Sequence, residues 1–207
     1  KTFIVVPVQW RIPEFGYLRD NVWIFTEKVD GTNVRIGWDG VKVEVGGRTA
    51  NAQMPLSLVK CLTETFTVER LTGAFPNGVE GQVVLYGEGY GAGIQGGGKY
   101  KADGVAFVLF DVLVGEWWLR WPDVQDVAHS LGIACVPVVD EGPLGAAAFM
   151  VRHGIISKWG SFQAEGLVVR PKVDLWTRRG ERIIGKIKSR DFTGEQNGKV
   201  QKGRIQH

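Results

Sequence analysis

Phe25-Thr26-Glu27-Lys28-Val29-Asp30-Gly31-Thr32-Asn33 is the stretch on which the reading of this chain turns. Val22 to Phe25 leads in as a strand-like run. Val34-Arg35-Ile36-Gly37-Trp38 leads out with apolar residues at alternate positions, the period of a half-buried strand. Lys28 therefore stands at a turn between two strands. Gly31 is expected to supply a positive φ there, while Asp30 and Asn33 are side chains that bend and cap backbone. Taken alone, a turn with a solvated lysine is commonplace. Its meaning comes from the rest of the chain.

Outward from that stretch, strands are expected over 3–9 and 22–26, with a loop at 11–16 between them. Asn33–Trp38, the dipeptide Asp39-Gly40 and Val41–Val45 read as a hairpin with a primed turn. Met54–Phe66 reads as a helix, with Pro55 in its first turn and Val59, Leu62 and Phe66 on one face. A strand over 82–86 runs into Gly87–Gly98, whose glycines predict a loop. Val105–Val114 is an apolar strand interrupted by Asp111. Helices follow near 122–131 and 144–153, stopped by Gly132 and Gly154 and separated by a strand over 134–139. Strands over 165–171 and 182–188 close the pattern. Strand-rich ends around a helix-containing middle predict an α+β domain of antiparallel sheets, not the strict alternation of a parallel one.

Composition narrows the classes. Hydrophobic residues at 44% and eight tryptophans exclude disorder and fibrous folds. No apolar run approaches the ~20 residues of a membrane span, and the N-terminal run has no cleavage-site pattern behind it, so an intracellular, cytoplasmic protein without a membrane partner is expected. Cys61 and Cys135 are far apart in sequence, with no Cys-x-x-Cys and no nearby histidine, which reads as two reduced thiols. Charge is divided along the chain. Residues 1–169 hold 14 Lys+Arg against 18 Asp+Glu, net −4, whereas residues 170–207 hold 11 against 4, net +7. A basic segment after an acidic body suits a polyphosphate or nucleic-acid partner as well as a solvated face.

Two glycine motifs mislead. Gly91-Ala92-Gly93-Ile94-Gln95-Gly96 fits Gly-x-Gly-x-x-Gly, but no long helix can start at Gly97-Gly98-Lys99 to receive a pyrophosphate. Gly93–Lys99 fits Gly-x₄-Gly-Lys, but Tyr100 stands where a P-loop needs a hydroxyl for magnesium. A mobile loop near a phosphate site is the better expectation. His129, His153 and His207 form no metal-ligand pair and no triad. The lysines and carboxylates at strand ends are more telling. Asp111 interrupts an apolar strand and Glu165 opens one. Lys186 and Lys188, two apart, point to one face of a strand, where they repel unless they share an anion or a carboxylate.

In order along the chain, these stretches resemble the motifs of the covalent nucleotidyltransferase superfamily of polynucleotide ligases and mRNA capping enzymes. Glu27-Lys28-Val29-Asp30-Gly31-Thr32-Asn33 resembles the nucleophile motif, Leu85-Tyr86-Gly87-Glu88 the third motif and Phe107-Val108-Leu109-Phe110-Asp111 its companion. Glu165-Gly166-Leu167-Val168-Val169-Arg170 resembles the fourth and Lys186-Ile187-Lys188 the fifth. Asn33, where DNA ligases and capping enzymes usually carry arginine, is similar to the RNA-ligase-2-like branch. So are Glu27, Gly93-Ile94-Gln95 and Lys186-Ile187-Lys188-Ser189. Asp30 departs from it, since many RNA ligases of that branch have histidine there and DNA ligases have aspartate.

The resemblance implies an α+β nucleotidyltransferase domain, residues 1–207 as a single adenylyltransferase domain without a separate C-terminal accessory domain, and antiparallel sheets with flanking helices around a nucleotide pocket. It implies an ATP-dependent RNA ligase, working as a monomer on RNA, at a nicked duplex with RNA on the 3′-hydroxyl side. ATP would leave AMP on Lys28, with Mg²⁺ or Mn²⁺ as the metal. Lys186 and Lys188 would hold the α-phosphate, and Glu165 and Glu88 the metal. Glu88 or Arg48 would reach the ribose or phosphate, and Glu27 is a further nucleotide-binding position. Phe110, with Phe107 as runner-up, would stack on adenine. Asn33 would position pyrophosphate or the 3′-hydroxyl, and Asp111 would serve later steps. A DNA ligase, a GTP-using capping enzyme and a catalytically silent nucleic-acid-binding relative are the alternatives.

Overall fold

Two β-sheets, each with its own helices, organise the two compact units into which the chain divides, Lys1–Lys28 with Pro137–His207 and Val29–Val136. The computed structural model describes residues 10–49 and 52–192, so the strand expected over 3–9 and His207 lie outside the described residues. In chain order the elements are α1 (Pro13–Tyr17), β1 (Trp23–Glu27), β2 (Thr32–Trp38), β3 (Val43–Gly47), α2 (Leu56–Thr65) and α3 (Val68–Ala74). Next come β4 (Val83–Gly91), β5 (Val105–Val114), β6 (Trp117–Trp118), α4 (Trp121–Ser130) and β7 (Ala134–Cys135). Last are β8 (Val138–Gly142), α5 (Leu144–His153), β9 (Gly166–Pro171) and β10 (Gly185–Lys188). The expected α+β class with antiparallel sheets is what the chain forms.

The first unit is a four-stranded antiparallel sheet in the order β10-β9-β1-β8. Period-2 alternation turns Trp23 and Phe25 of β1, Leu167 and Val169 of β9 and Ile187 of β10 into one core with Leu144, Ala147, Ala148 and Val151 of α5. The small alanines let α5 lie close to the sheet. Phe15 of α1 joins this core, its ring 5.8 Å from that of Trp23. Burial of each such aromatic contributes about 1.5–3 kcal/mol, which fixes the register of β1 and so the height at which Lys28 leaves it.

The second unit is built on a six-stranded sheet, β3-β2-β4-β5-β6, with β7 pairing β5 in parallel. The glycine-rich stretch after 86 is not loop from its start: β4 continues through Gly91. Gly87 and Gly89 share the core face with Val83 and Leu85, and a side chain at either would strike a neighbour, the Phe107 ring at 87 and the Leu58 side chain of α2 at 89. Tyr86 and Glu88 occupy the opposite face. The β2–β3 connection also differs from expectation. Trp38 pairs with Val43, leaving the four-residue loop Asp39–Lys42, and Gln95 is the only non-glycine with positive φ among the described residues. The loop is an Asx turn, in which the Asp39 carboxylate accepts the Val41 and Lys42 amides at 2.9 and 2.7 Å. Cys61 and Cys135 are in no disulfide and are both half-buried, as expected.

Candidate active site

Lys28 follows the last residue of β1 and donates its amide to Gly166 O at 3.0 Å, so the pairing with β9 continues one residue past the strand. On the other side of β9, Lys188 is the register partner of the same Gly166. Three adjacent strands thus bring Lys28 and Lys188 level with residue 166, and Glu165 stands between them. Lys28 Nζ lies 2.5 Å from Glu165 Oε2, and Lys188 Nζ lies 3.3 Å from Oε1. The three side chains keep only 17%, 15% and 20% of their surface for Lys28, Lys188 and Glu165 respectively. Screening by solvent is correspondingly weak.

The sequence builds this cluster locally. Gly166 leaves no space for a Cβ, which would strike Ile187 O and lie 2.8 Å from Lys188 Cα, so β10 can approach only over a glycine. Beyond β10, Ser189 donates its amide to Glu165 O at 2.9 Å and Asp191 accepts the Lys188 amide at 3.0 Å, fixing both ends of the Glu165–Lys188 contact. Gly185 and Ile187 are buried while Lys186 and Lys188 are half-buried, so the two lysines do share a face. Lys28 and Lys188 thus share the one carboxylate of Glu165, an excess of positive over negative groups that suits a phosphate anion.

Glu27 has a role that spacing could not reveal. Its buried carboxylate accepts the Ser157 hydroxyl at 2.6 Å and the Lys158 amide at 2.7 Å, one bond on each oxygen. Ser157 Oγ accepts the Trp159 amide at 3.1 Å in turn. Ser157 and Lys158 lie in an irregular segment with no periodic pattern. Nothing in the sequence joins them to Glu27.

In the second unit, Asn33 of β2 and Glu88 of β4 are direct register partners, and so are Arg35 and Tyr86. Directly opposed residues share a face, so Asn33 and Glu88 project together from the face opposite Leu85 and Gly87. Asp111 of β5 pairs with Tyr86 whereas Leu109 pairs with Gly87, which leaves Phe110 as the extra residue of a β-bulge. Without the bulge Asp111 would share the core face with Leu109. The bulge turns it onto the Glu88 face. Phe107 is 93% buried with its ring edge-on to Phe66, 5.1 Å away, and Phe110 is more exposed. Arg48 is exposed just past β3. Gly31 does not adopt the expected positive φ; it is needed because a Cβ there would strike Gly89 O and lie 2.9 Å from Glu88 Cγ. The Gly-x-Gly-x-x-Gly stretch ends in a three-residue 3-10 turn, Gly97–Lys99, and not in a helix.

Among the described residues no three His, Cys, Asp or Glu side chains gather as a metal site, and no helix is long and apolar enough to cross a membrane. His129 and His153 are exposed.

The fold has solved counterparts. A mutant Naegleria gruberi RNA ligase with ATP and Mn is similar at a TM-score of 0.69 and 20% identity, over 91% of this chain and 55% of that one. The same ligase with PPi matches at 0.69 and 21% over the same shares, and another mutant with AMP and Mn at 0.68 and 19%. The chain spans about half the length of these proteins. No curated protein sequence matches it. The RNA ligase family matches residues 21–188, a span that holds Lys28, Glu88, Glu165 and Lys188 alike, and by that match the chain belongs to the RNA ligase family.

Proposed function

We propose that this protein is an ATP-dependent RNA ligase that joins a 5′-phosphate to a 3′-hydroxyl through AMP carried on Lys28. The observation that carries the reading is Lys28 at a strand end, paired with Glu165 while Lys188 holds the other carboxylate oxygen. Family membership supports it, as do the nucleotide-bound and manganese-bound forms of the similar Naegleria gruberi enzyme.

Three displacements at phosphorus would follow. Lys28 Nζ attacks the α-phosphorus of ATP, the bond to the β-phosphate breaks, pyrophosphate leaves and the amine proton passes to solvent. A 5′-phosphate oxygen then attacks the same phosphorus, and Lys28 leaves and regains a proton. Finally the 3′-hydroxyl loses its proton as it attacks the 5′-phosphate, and AMP departs. An ion-paired ammonium has no lone pair, so Lys28 has to part from Glu165 and lose a proton before the first step. Lys186 and Lys188 neutralise charge that moves onto the phosphates, an effect concentrated in the transition state. Glu165 fits a hard divalent cation, which is commonly held by one or two carboxylates with substrate phosphates; bound Mg²⁺ or Mn²⁺ would add positive charge at the triphosphate, and Glu88 is the second carboxylate assigned to it.

Phe110 stacks on adenine in this reading, and Arg48 and Glu88 bind ribose or phosphate. Glu27 orders the backbone beside the nucleotide, Asn33 positions pyrophosphate or the 3′-hydroxyl, and Asp111 serves the later steps. The partner is a nicked duplex with RNA on the 3′-hydroxyl side, bound by the chain as a monomer.

Incubation with labelled ATP or GTP and magnesium, followed by denaturing electrophoresis, tests the first step. ATP should label the protein, GTP should label it poorly, and Lys28→Ala should carry no label. An adenylate that persists in Lys28→Ala overturns the assignment. Asp30 favours a second reading, a DNA ligase, which prevails if nicks with an all-DNA 3′-hydroxyl strand are sealed as fast as RNA ones.

A further inference from the structure

Between Pro171 and Gly185 the chain folds into a small hairpin that the proposed chemistry does not use. Ile183 donates its amide to Leu175 O at 2.9 Å, Trp176 bridges antiparallel to Arg182, and Thr177 donates to Glu181 O at 2.8 Å. The Thr177 hydroxyl accepts the amides of Arg179 and Glu181 at 3.2 and 3.3 Å, and Gly180, with φ 77°, completes the turn. The tip is therefore a built turn. Its cations fall into two sets. At the base, Arg182 lies 3.8 Å from Asp174 and Lys172 lies 2.7 Å from Glu141. At the tip, Arg178 and Arg179 are exposed, with Glu181 as the nearby carboxylate. Residues 172–182 hold four Lys+Arg against two Asp+Glu, net +2. Beside the two arginines Trp176 leaves 50% of its surface in solvent, and Val173 leaves 73%.

We infer that this hairpin is a contact for unpaired RNA, in which a base stacks on Trp176 and the adjoining phosphates meet Arg178 and Arg179. The inference rests on the RNA-ligase reading for the kind of nucleic acid and adds to its nicked duplex a contact for RNA that is unpaired beside the duplex. An exposed indole offers a flat apolar face that any base can cover, and two guanidiniums within two and three residues of it supply the charge that a sugar-phosphate chain requires. A duplex keeps its bases stacked on one another and would engage the arginines alone. An acidic peptide would likewise leave the indole without a function.

The test is the affinity of the whole protein for a labelled single-stranded RNA and for the same sequence as a duplex, read by fluorescence anisotropy across a range of salt. Trp176→Leu should weaken single-strand binding roughly tenfold or more, and Trp176→Phe should restore most of it. Replacing Arg178 and Arg179 together by alanine should lower the slope of log affinity against log salt by about 1.4, the value for two phosphate contacts on a single strand. Unchanged binding in these variants overturns the inference. So does a Trp176→Phe protein as weak as Trp176→Leu, or a duplex that is as sensitive to Trp176 as the single strand. Labelling of Lys28 by ATP, which involves no RNA, is read in parallel. A protein that labels and binds RNA with an affinity these variants leave unchanged defeats the hairpin alone, whereas one that binds RNA through the hairpin without labelling defeats the ligase reading alone.

Discussion

Lys28 Nζ sits 2.5 Å from Glu165 Oε2, closer than Lys188 Nζ sits to the other oxygen of the same carboxylate, at 3.3 Å. One carboxylate therefore compensates two ammonium groups. Glu165→Gln removes that compensation and leaves Lys28 and Lys188 repelling one another. The cost to folding should be about 1–3 kcal/mol, below the ~3–5 of a fully buried pair because part of the cluster remains in water. Thermal melting should fall by several degrees, at roughly 2–4 °C per kcal/mol for a chain of this size, and recover in part at high salt. Adenylation should fall about a hundredfold or more. A variant that melts and labels like the parent would remove Glu165 from the centre of this cluster.

Lys186→Ala and Lys188→Ala should separate catalysis from stability. Lys188 is the more distant of the two cations on Glu165, so its loss leaves the Lys28–Glu165 pair in place and should shift melting by no more than a few degrees. If both lysines act on the α-phosphate in the transition state, each substitution should lower the single-turnover rate of Lys28 adenylation by roughly 10²–10³-fold while ATP affinity changes far less. Normal rates in both variants would assign the lysines to a structural ion pair.

Gly166→Ala tests how the cluster is held. The added methyl would meet Ile187 O and Lys188 Cα, both backbone atoms of the paired strand β10, which cannot turn aside as a side chain can. Overpacking of this kind costs about 1–3 kcal/mol, and the displaced strand is the one that carries Lys186 and Lys188. Melting and adenylation should therefore fall together. Parent-like melting with parent-like adenylation would mean that β10 can move away without disturbing its lysines.

Where the sequence was legible, local chemistry and fold agreed. Pro143 and Gly154 bound a helix at Leu144–His153, and that helix is where it was expected. Lys28, Glu165 and Lys188 were legible only together, as motifs whose order resembles that of a known superfamily, since a turn lysine taken alone is commonplace. The failures share a cause, which is that contacts distant in sequence override local preference. Gly87 and Gly89 read as loop, yet they form the bare face of a strand that makes room for Phe107 and Leu58. The single strand expected over 134–139 is two strands in different sheets, with Pro137 between them offering its carbonyl to the Glu27 amide at 3.0 Å. At 182–188 only Gly185–Lys188 is strand. The short helices α1 and α3 fall below the length at which a helical period can be read. Ser157, which holds Glu27, has no sequence signal at all.

The glycine loop after β4 offers a contrasting test to Gly166. Asp30 donates its amide to Tyr100 Oη at 3.3 Å, and its carboxylate lies so close to Gly96 that a Cβ there would strike Oδ2 and lie 2.9 Å from Cγ. Here the obstacle is the end of a side chain, which can rotate away. Gly96→Ala should therefore cost less than Gly166→Ala, about 0.5–1.5 kcal/mol, the cost of turning one side chain off its preferred rotamer. Asp30→Ala should relieve that cost, so that the double variant is more stable than the sum of the single changes by about 0.5 kcal/mol or more, the coupling of residues in direct contact. The measurement is a double-mutant cycle of denaturant midpoints. If the two effects simply add, Asp30 does not set the approach of the loop. If Gly96→Ala costs as much as Gly166→Ala, the loop is held by backbone contacts, and the close approach of Gly97 to Gly91 N, 2.6 Å from a Cβ placed at 97, becomes the restraint to test next.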